Sequence, residues 1–361
     1  MSGTSLDGVD GVLADFSQSR PVILAHATAD FTPQLRAELL ALNTAGDNEL
    51  HRAALAGNAL MRVYADVVHD LLRKTQTGAG SVEAIGAHGQ TVRHRPQDFD
   101  GTGYTVQLAQ PALLAELTDI DVVADFRSRD VAAGGQGAPL APFFHQAWFG
   151  SVDSNVGVLN IGGIANLTLL RPDATILGFD CGPGNSLMDA WCSMHCGLPY
   201  DAEGQWAATG QVLPPLLDAL LEEPFFRQAP PKSTGRDLFN MAWLQARLAK
   251  FPTASPQDVQ ATLAELTALT CSDDAMRLDR NLRELVVCGG GALNTFLMQR
   301  LQALLPKTHV ISSALRGLPA LQVEAAAFAW LARKTVRRET LALKSTTGAR
   351  GARVLGCVYP A

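Results

Sequence analysis

The stretch that most constrains the fold is "NVGVLNIGGIANLTLLRPDATILGFD", residues 155–180. Three apolar runs of strand length are separated by Gly162-Gly163 and by Pro172-Asp173, so the segment reads as three consecutive strands joined by tight turns. The start of the chain has a related layout. "GVDGVLADF" and "PVILAHATADF" are two strands joined by a Ser/Arg/Pro turn, and "MSGTSLDG" ahead of them is a further Gly-rich turn. Identity between the two openings is slight, and what repeats is the pattern.

Helical periodicity follows each group of strands. In the first half it marks "PQLRAELLALN" and "NELHRAALAGNALMRVYADVVHDLLRK". In the second it marks "SLMDAWCSMHC", "VLPPLLDALLEE", "DVQATLAELTALTCSDDAMRL" and the end of "ELVVCGGGALNTFLMQRLQALL". Between them, "VEAIGAHGQTVRHRP" reads as a short apolar strand running into a polar loop, "YTVQLAQPALLAELT" as a strand and a helix, and "DVVADFRSRD" as another strand. Hairpin strands followed by alternating helices and strands make an α/β layered architecture. A length of 361 residues suits two domains, the first, residues 1–125, and the second, residues 126–361.

With 47% hydrophobic and 18% charged residues the chain is globular in composition, and its formal net charge of -6 provides no chain-wide basic surface. That argues against a nucleic-acid partner and leaves room for a local cationic site that takes a small anion. The start lacks the charged and apolar regions of a signal peptide, and no apolar run reaches about 18 residues, so no membrane partner and a cytoplasmic location are expected. The six cysteines lack paired spacing, in keeping with a reducing compartment. "CSMHC" places Cys192, His195 and Cys196 close together as a metal site would, but no second pair stands at zinc-like spacing; the alternative is three helix residues.

Four stretches carry chemistry-bearing residues. In "MSGTSLDGVD" the glycines let several N–H groups point one way and Thr4 and Ser5 add hydroxyls, which suits an oxyanion; an ordinary hairpin turn is the alternative. "VVCGGGALN" sets Gly289, Gly290 and Gly291 between a strand end and a helix, where a phosphate or a flat ring can approach the backbone, or where helix and strand simply pack closely. In "GFDCGPGNSLMDAW", Asp180 ends a strand before a Gly-Pro-Gly turn, either as an acid-base carboxylate at a sheet rim or as the cap of the next helix. "ADFRSRDVAAGGQGAPLAPFFHQ" gathers Asp125, Arg127, Arg129 and Asp130 ahead of a Gly-rich loop, for a carboxylate ligand or for an internal ion-pair network.

"AHGQTVRH" adds His88, Gln90, Arg93 and His94 at a strand-to-loop junction. Two nucleotide signatures fail. "APPKSTGR" lacks the glycine spacing of a P-loop ahead of Lys232, and "FDCGPGNSL" has Leu187 where a dinucleotide turn needs its third glycine.

Taken in order, "MSGTSLDGVD", "GAHGQTVRH", "VQLAQPALLAELTDIDVVADFRSRDVAAGGQGAPLAP", "LNIGGIANLTLL", "GFDCGPGNSLMDAW", "PKSTGRDLFN", "VVCGGGALN" and "VEAAAFAWLA" resemble the anhydro-N-acetylmuramic acid kinase family of the sugar kinase, heat-shock chaperone and actin superfamily. The resemblance implies two ribonuclease H-like domains with an ATP cleft between them, the actin-like ATPase fold, with the last ~20 residues packing back on the first domain. It implies a first phosphate loop of Gly3, Thr4, Ser5, Leu6, Asp7, Gly8, Val9 and Asp10, and a second of Asn160, Gly162, Gly163 and Asn166. Gly289, Gly290 and Gly291 are then the adenosine turn, and Asp7 holds Mg²⁺ through water.

By the same resemblance Asp180 is the catalytic base, and His88, Gln90, Arg129 and Glu324 bind the sugar. The implied reaction hydrolyses the 1,6-anhydro bridge of 1,6-anhydro-N-acetylmuramic acid while ATP phosphorylates O6, in murein recycling, by a homodimer. One departure stands out. Family members usually carry residues ahead of "MSGTS" that complete the first strand, so that strand is expected to be shortened and its sheet left with a poorly paired edge. A non-catalytic ATP-gated clamp and a kinase for another sugar are the competing readings.

Overall fold

The opening hairpin forms as β1 (Gly8–Asp15) and β2 (Val22–Asp30), paired antiparallel. The computed structural model that shows it describes every residue except 4–5, 19–20, 174, 231 and 236–237. The described residues divide into two units, one of residues 1–144 with 322–361 and one of residues 145–321.

Unit 1 continues with α1 (Pro33–Ala41), which starts where the Thr32 hydroxyl accepts the Leu35 N–H at 3.2 Å. The long α2 (Glu49–Thr75) buries Leu60, Met61, Tyr64 and Val67, the apolar stripe that its periodicity predicts. Then come β3 (Ile85–Gly86), β4 (Gln90–Pro96), β5 (Gly103–Leu108), α3 (Pro111–Thr118), β6 (Val122–Ala124) and α4 (Ser128–Ala132). α5 (Ala141–Phe149) spans the point at which the chain passes from one unit to the other.

Unit 2 holds the three strands expected at residues 155–180, as β7 (Val156–Ile161), β8 (Ile164–Leu170) and β9 (Ile176–Pro183). α6 (Ser186–Cys196), α7 (Pro214–Leu221), α8 (Met241–Leu248) and α9 (Pro256–Leu278) follow, then β10 (Glu284–Cys288), α10 (Thr295–Leu304) and β11 (His309–Ser312). Its sheet runs β11-β10-β7-β8-β9, antiparallel among β7, β8 and β9 and parallel where β10 meets β7 and β11. This is the strand layout of a ribonuclease H-like core, with β7 in the middle and all six of its residues buried. α9 lies deep in the same core through Leu263, Ala264, Leu266, Ala268 and Cys271.

The chain then returns to unit 1 as α11 (Val323–Val336) and β12 (Cys357–Tyr359). Here the sheet is in pieces. β3 runs parallel to β6, β12 is antiparallel to β6, and the β1-β2 pair is separate from both. A cavity of about 370 Å³ is lined by Val12 and Ala14 of β1, Ala84 and Gly86 at β3, Tyr64 of α2 and Ala329 of α11. One rung of pairing stands at its end: the Asp10 N–H donates to the Met1 carbonyl at 2.9 Å, and the Met1 amine donates to the Asp10 carbonyl at 2.7 Å.

Three sequence expectations are corrected. The polar "loop" after residue 89 is the hairpin β4-β5, in register from Gln90↔Leu108 to Pro96↔Gly103, with Val92 and Leu108 buried in the core of unit 1 and the rest held by backbone pairing. "DVVADFRSRD" is a strand only to Ala124 and a helix from Ser128. The first unit extends past residue 125 to 144, and its returning segment is 40 residues long, from 322 to 361. Asp130 explains the extension: its buried carboxylate accepts the Gly137 N–H and the Thr347 hydroxyl, each at 2.6 Å, so that residues 128–137 are tied to the returning tail.

Candidate active site

In unit 2 the site is built on β9. Asp180 pairs with Asn166 across β8, and β9 is the edge of its sheet, so its outer side is open to a loop. Residues 232–234 take that place. The Asp180 N–H donates to the Lys232 carbonyl at 3.1 Å, the Ser233 hydroxyl donates to Asp180 Oδ2 at 2.9 Å, and the Thr234 N–H donates to the same oxygen at 3.0 Å. Oδ1 receives no donor among the described residues. Burial raises the Asp180 pKa above the usual carboxylate value, against the opposing pull of the Thr234 and Ser233 hydrogen bonds and the Lys232 charge. A carboxylate with one oxygen fixed and the other unshared, held partly out of water, is equipped to accept a proton.

Asp180 does not cap the following helix. β9 runs on past Asp180 to Pro183, and α6 begins after Asn185. The expected second loop lies beside it: Asn160 and Asn166 face each other across β7 and β8, and the Gly162 and Gly163 carbonyls accept the N–H groups of Asn185 and of Gly184 and Ser186. Gly289–Gly291 close on the same hairpin. Gly289 has φ +76, and a Cβ there would stand 2.4 Å from Asn160 Oδ1, while one at Gly291 would meet the Ile161 side chain at the same distance. The first and last of these glycines are thus required by close packing on the end of β7, whatever else the turn binds.

In unit 1 the opening loop is anchored rather than open. Leu6 is buried with φ +59, Val9 is buried, and Gly8 passes so close to β2 that a Cβ would lie 2.3 Å from the Ala29 carbonyl oxygen. Gly3 accepts the Leu6 N–H at 3.3 Å. Thr4 and Ser5 lie outside the described residues. Asp7 is exposed, 3.6 Å from Arg36, and Asp10 lies 3.6 Å from His26. The Ser2 hydroxyl donates to the Gly89 carbonyl at 3.1 Å, which ties this loop to the His88–Gln90 segment.

His88, expected at the sugar, is buried and held by hydrogen bonds within unit 1. Its Nδ1–H donates to the Gly89 carbonyl at 2.7 Å, and its Nε2 accepts from Arg127 Nε at 3.1 Å and Nη2 at 3.0 Å. The ring also lies 4.5 Å from that of Phe328. Burial, with the Arg127 cation beside it, pushes the His88 pKa well below the usual histidine range, so the ring is neutral. Burial likewise lowers Arg127 to about 10, opposed by Glu324 and Asp130. Gln90 is buried as well, its Nε2 donating to the Thr91 carbonyl at 3.4 Å. Arg129 on α4 and Glu324 in the first turn of α11 are exposed. Of the two arginines, one is therefore internal and the other faces solvent.

The family model of anhydro-N-acetylmuramic acid kinase matches residues 1–361. The chain belongs to the anhydro-N-acetylmuramic acid kinase family. It is 63% identical to the anhydro-N-acetylmuramic acid kinase of Variovorax paradoxus strain S110, over 100% of this chain and 98% of that one. It is 61% identical to the protein of that name from Albidiferax ferrireducens, over the same shares of the two chains. Among solved structures, a ROK family glucokinase from Streptomyces griseus in complex with glucose and AMPPNP is 12% identical, with a TM-score of 0.40 over 91% of this chain and 99% of that one.

A kinase of this family brings an implied metal ion, and the donor set can be tested for it. Among the described residues no group of three or more His, Cys, Asp or Glu is placed to hold a metal. The "CSMHC" residues lie on α6, with Cys192 buried and Cys196 exposed. The exposed Asp7 carboxylate is a single hard oxygen donor, which fits a magnesium ion carried by phosphates and water rather than a protein cage. No helix among the described residues is long and apolar enough to cross a membrane.

Sequence reasoning missed the partners of Asp180. "PKST" drew notice as a failed P-loop and as part of the family resemblance, with no role toward Asp180 assigned to it. Lys232 is buried, and its Nζ lies 2.9 Å from Asp274 Oδ2 on α9. A signal for Asp274 exists too. α9 is buried on every side yet carries Thr262, Glu265, Thr267, Thr270 and Asp274, and buried polar groups demand partners.

Proposed function

We propose that this kinase transfers the γ-phosphoryl group of ATP to O6 of 1,6-anhydro-N-acetylmuramic acid while water opens the 1,6-anhydro bridge, giving N-acetylmuramic acid 6-phosphate and ADP. Asp180 is the base. It takes a proton from the water whose oxygen bonds to C1, the C1–O6 bond breaks, and O6 receives the phosphoryl group. The observation that carries this reading is the Asp180 carboxylate itself, fixed at Oδ2 by Ser233 and Thr234 and without a donor at Oδ1 among the described residues.

The remaining roles follow from chemistry and exposure. Gly3 to Asp10 form the first phosphate loop and Asn160 to Asn166 the second, with the N–H groups that are not already paired within the protein directed to the phosphates, and the turn at Gly290 receives the adenosine. Asp7 holds magnesium through water; the ion, when bound, offsets charge on the phosphates. Arg129 is the fork for the lactyl carboxylate of the sugar and Glu324 accepts from its hydroxyls. His88 and Gln90 support that surface from beneath. The enzyme acts in the cytoplasm as a homodimer and returns the anhydro sugar of murein to metabolism.

The test is acceptor specificity. With Mg-ATP, the purified protein is given the anhydro sugar, N-acetylmuramic acid or glucose, and the products are read by mass spectrometry. Phosphorylation of the bridged sugar alone is the expected result. Comparable phosphorylation of the other two would overturn the substrate assignment, and nucleotide binding with no sugar-dependent turnover would favour the ATP-gated clamp.

A further inference from the structure

Beneath Asp180 lies an ion pair that the reaction just described does not use. Lys232 and Asp274 side chains are 1% and 3% exposed, and their charged atoms are 2.9 Å apart. The ammonium also stands 4.9 Å from the centre of the Phe225 ring and 5.7 Å from that of Phe179. Arg277 Nη1 is 3.4 Å from the other oxygen of Asp274. A buried pair of this kind adds little net stability over well-packed apolar residues, because both charges must be taken out of water. Its place in the chain gives it another consequence.

Lys232 is the residue whose carbonyl meets the Asp180 N–H, and the next two residues are the ones that hold Asp180 Oδ2. The side chain of Lys232 goes inward to α9 while its backbone lies on the edge of β9. The ion pair therefore acts as a peg for the whole loop. We propose that the Lys232–Asp274 pair is a positioning device for the Asp180 carboxylate: it fixes residues 232–234 on the β9 edge, so that Oδ2 stays bound and Oδ1 is presented to the water. The proposal rests on the reading of Asp180 as the base.

The charges around the pair are few. From α9 come Asp274, Arg277 and Asp273, whose carboxyl burial raises above the usual value; from β9 comes Cys181, whose thiol burial holds protonated beside Cys271. Burial raises Asp274 as well, with the neighbouring Lys232 cation opposing it. Asp180 itself faces the Lys232 charge and the Ser233 and Thr234 donors. All three favour its ionised form. Losing them together raises the pKa of the base, and the acid limb of kcat moves to higher pH.

The test uses the full chain and the double variant Lys232→Met with Asp274→Leu, which removes both charges and leaves neither one buried alone. We expect it to fold, with turnover reduced on the order of tenfold or more, KM for ATP within about threefold of the parent, and the acid limb of kcat displaced upward. Ser233→Ala, which removes one donor and keeps the peg, is expected to show a smaller change in the same direction. If the double variant unfolds, Lys232→Arg, which keeps a cation, replaces it, with retention of the acid limb expected and an upward shift overturning the proposal. A folded double variant with parent turnover and an unmoved acid limb overturns the proposal. Combining it with Asp180→Asn separates this from the underlying reading: no further loss in the triple variant supports action through Asp180, and an equal further loss contradicts it. High turnover of Asp180→Asn alone removes Asp180 as the base.

Discussion

In unit 2, β7 lies between β8 and β10 with a ladder on each side, and every one of its residues is buried. In unit 1 the equivalent place, between β1 and β3, holds a cavity of about 370 Å³ and one rung of pairing from Met1 to Asp10. The other strands correspond: β1 and β2 to β8 and β9, β3 and β6 to β10 and β11. The difference teaches where each unit gets its order. Unit 2 positions Asp180 from a finished sheet. Unit 1 ties its segments together through a polar network, in which Arg127 joins His88 to the Gly137 carbonyl and Asp130 joins residue 137 to the tail.

The comparison is sharpened first by the site that the finished sheet carries. Asp180→Asn is expected to keep the thermal midpoint of the parent and to lose turnover by a factor on the order of 100 or more, since that is the cost of a missing general base. Steady-state kinetics beside a melting curve would check it, and a variant that melts early would mean that Asp180 serves the fold. The two arginines of unit 1 come next. Arg127→Ala should destabilise the protein by about 2–3 kcal/mol, because it strands buried acceptors. Arg129→Ala should leave the denaturation curve alone and raise KM for the sugar roughly tenfold, as a lost carboxylate fork does. Equal effects of the two would erase the distinction between internal and exposed cation.

The smallest effect is one that both units share. Each buries a neutral histidine, His88 in unit 1 and His145 in unit 2, the latter 3.1 Å from the Thr168 hydroxyl and lowered by burial to about 3. The unfolded chain binds protons on these rings below about pH 6.5 while the folded chain does not, so stability is full above that pH and falls as pH drops. About 1 kcal/mol per pH unit per histidine is expected between pH 6.5 and 5.5. Urea titrations at the two pH values would show it, and His145→Gln should reduce the slope by one histidine's share.

The legible part of this molecule was local. The strands at 155–180, the long helices and the glycine turns follow from periodicity and turn chemistry, which act over a few residues. Asp180 was visible as a carboxylate at a strand end, but its cap role and its base role differ only in what reaches it from residues 232–234, over fifty positions away. Nothing near His88 in the sequence reveals Arg127 as its donor. Strand β4 was hidden because its one buried aliphatic residue, Val92, gives no apolar alternation to read.

The central claim is that water opens the anhydro bridge in the same step that O6 is phosphorylated. It is tested most directly by incubating the protein with Mg-ATP and 1,6-anhydro-N-acetylmuramic acid in ¹⁸O-labelled water and locating the label by mass spectrometry. The account predicts a 6-phosphate that carries a single ¹⁸O, at C1. An unlabelled product, or a phosphorylated sugar with its bridge intact, would contradict it.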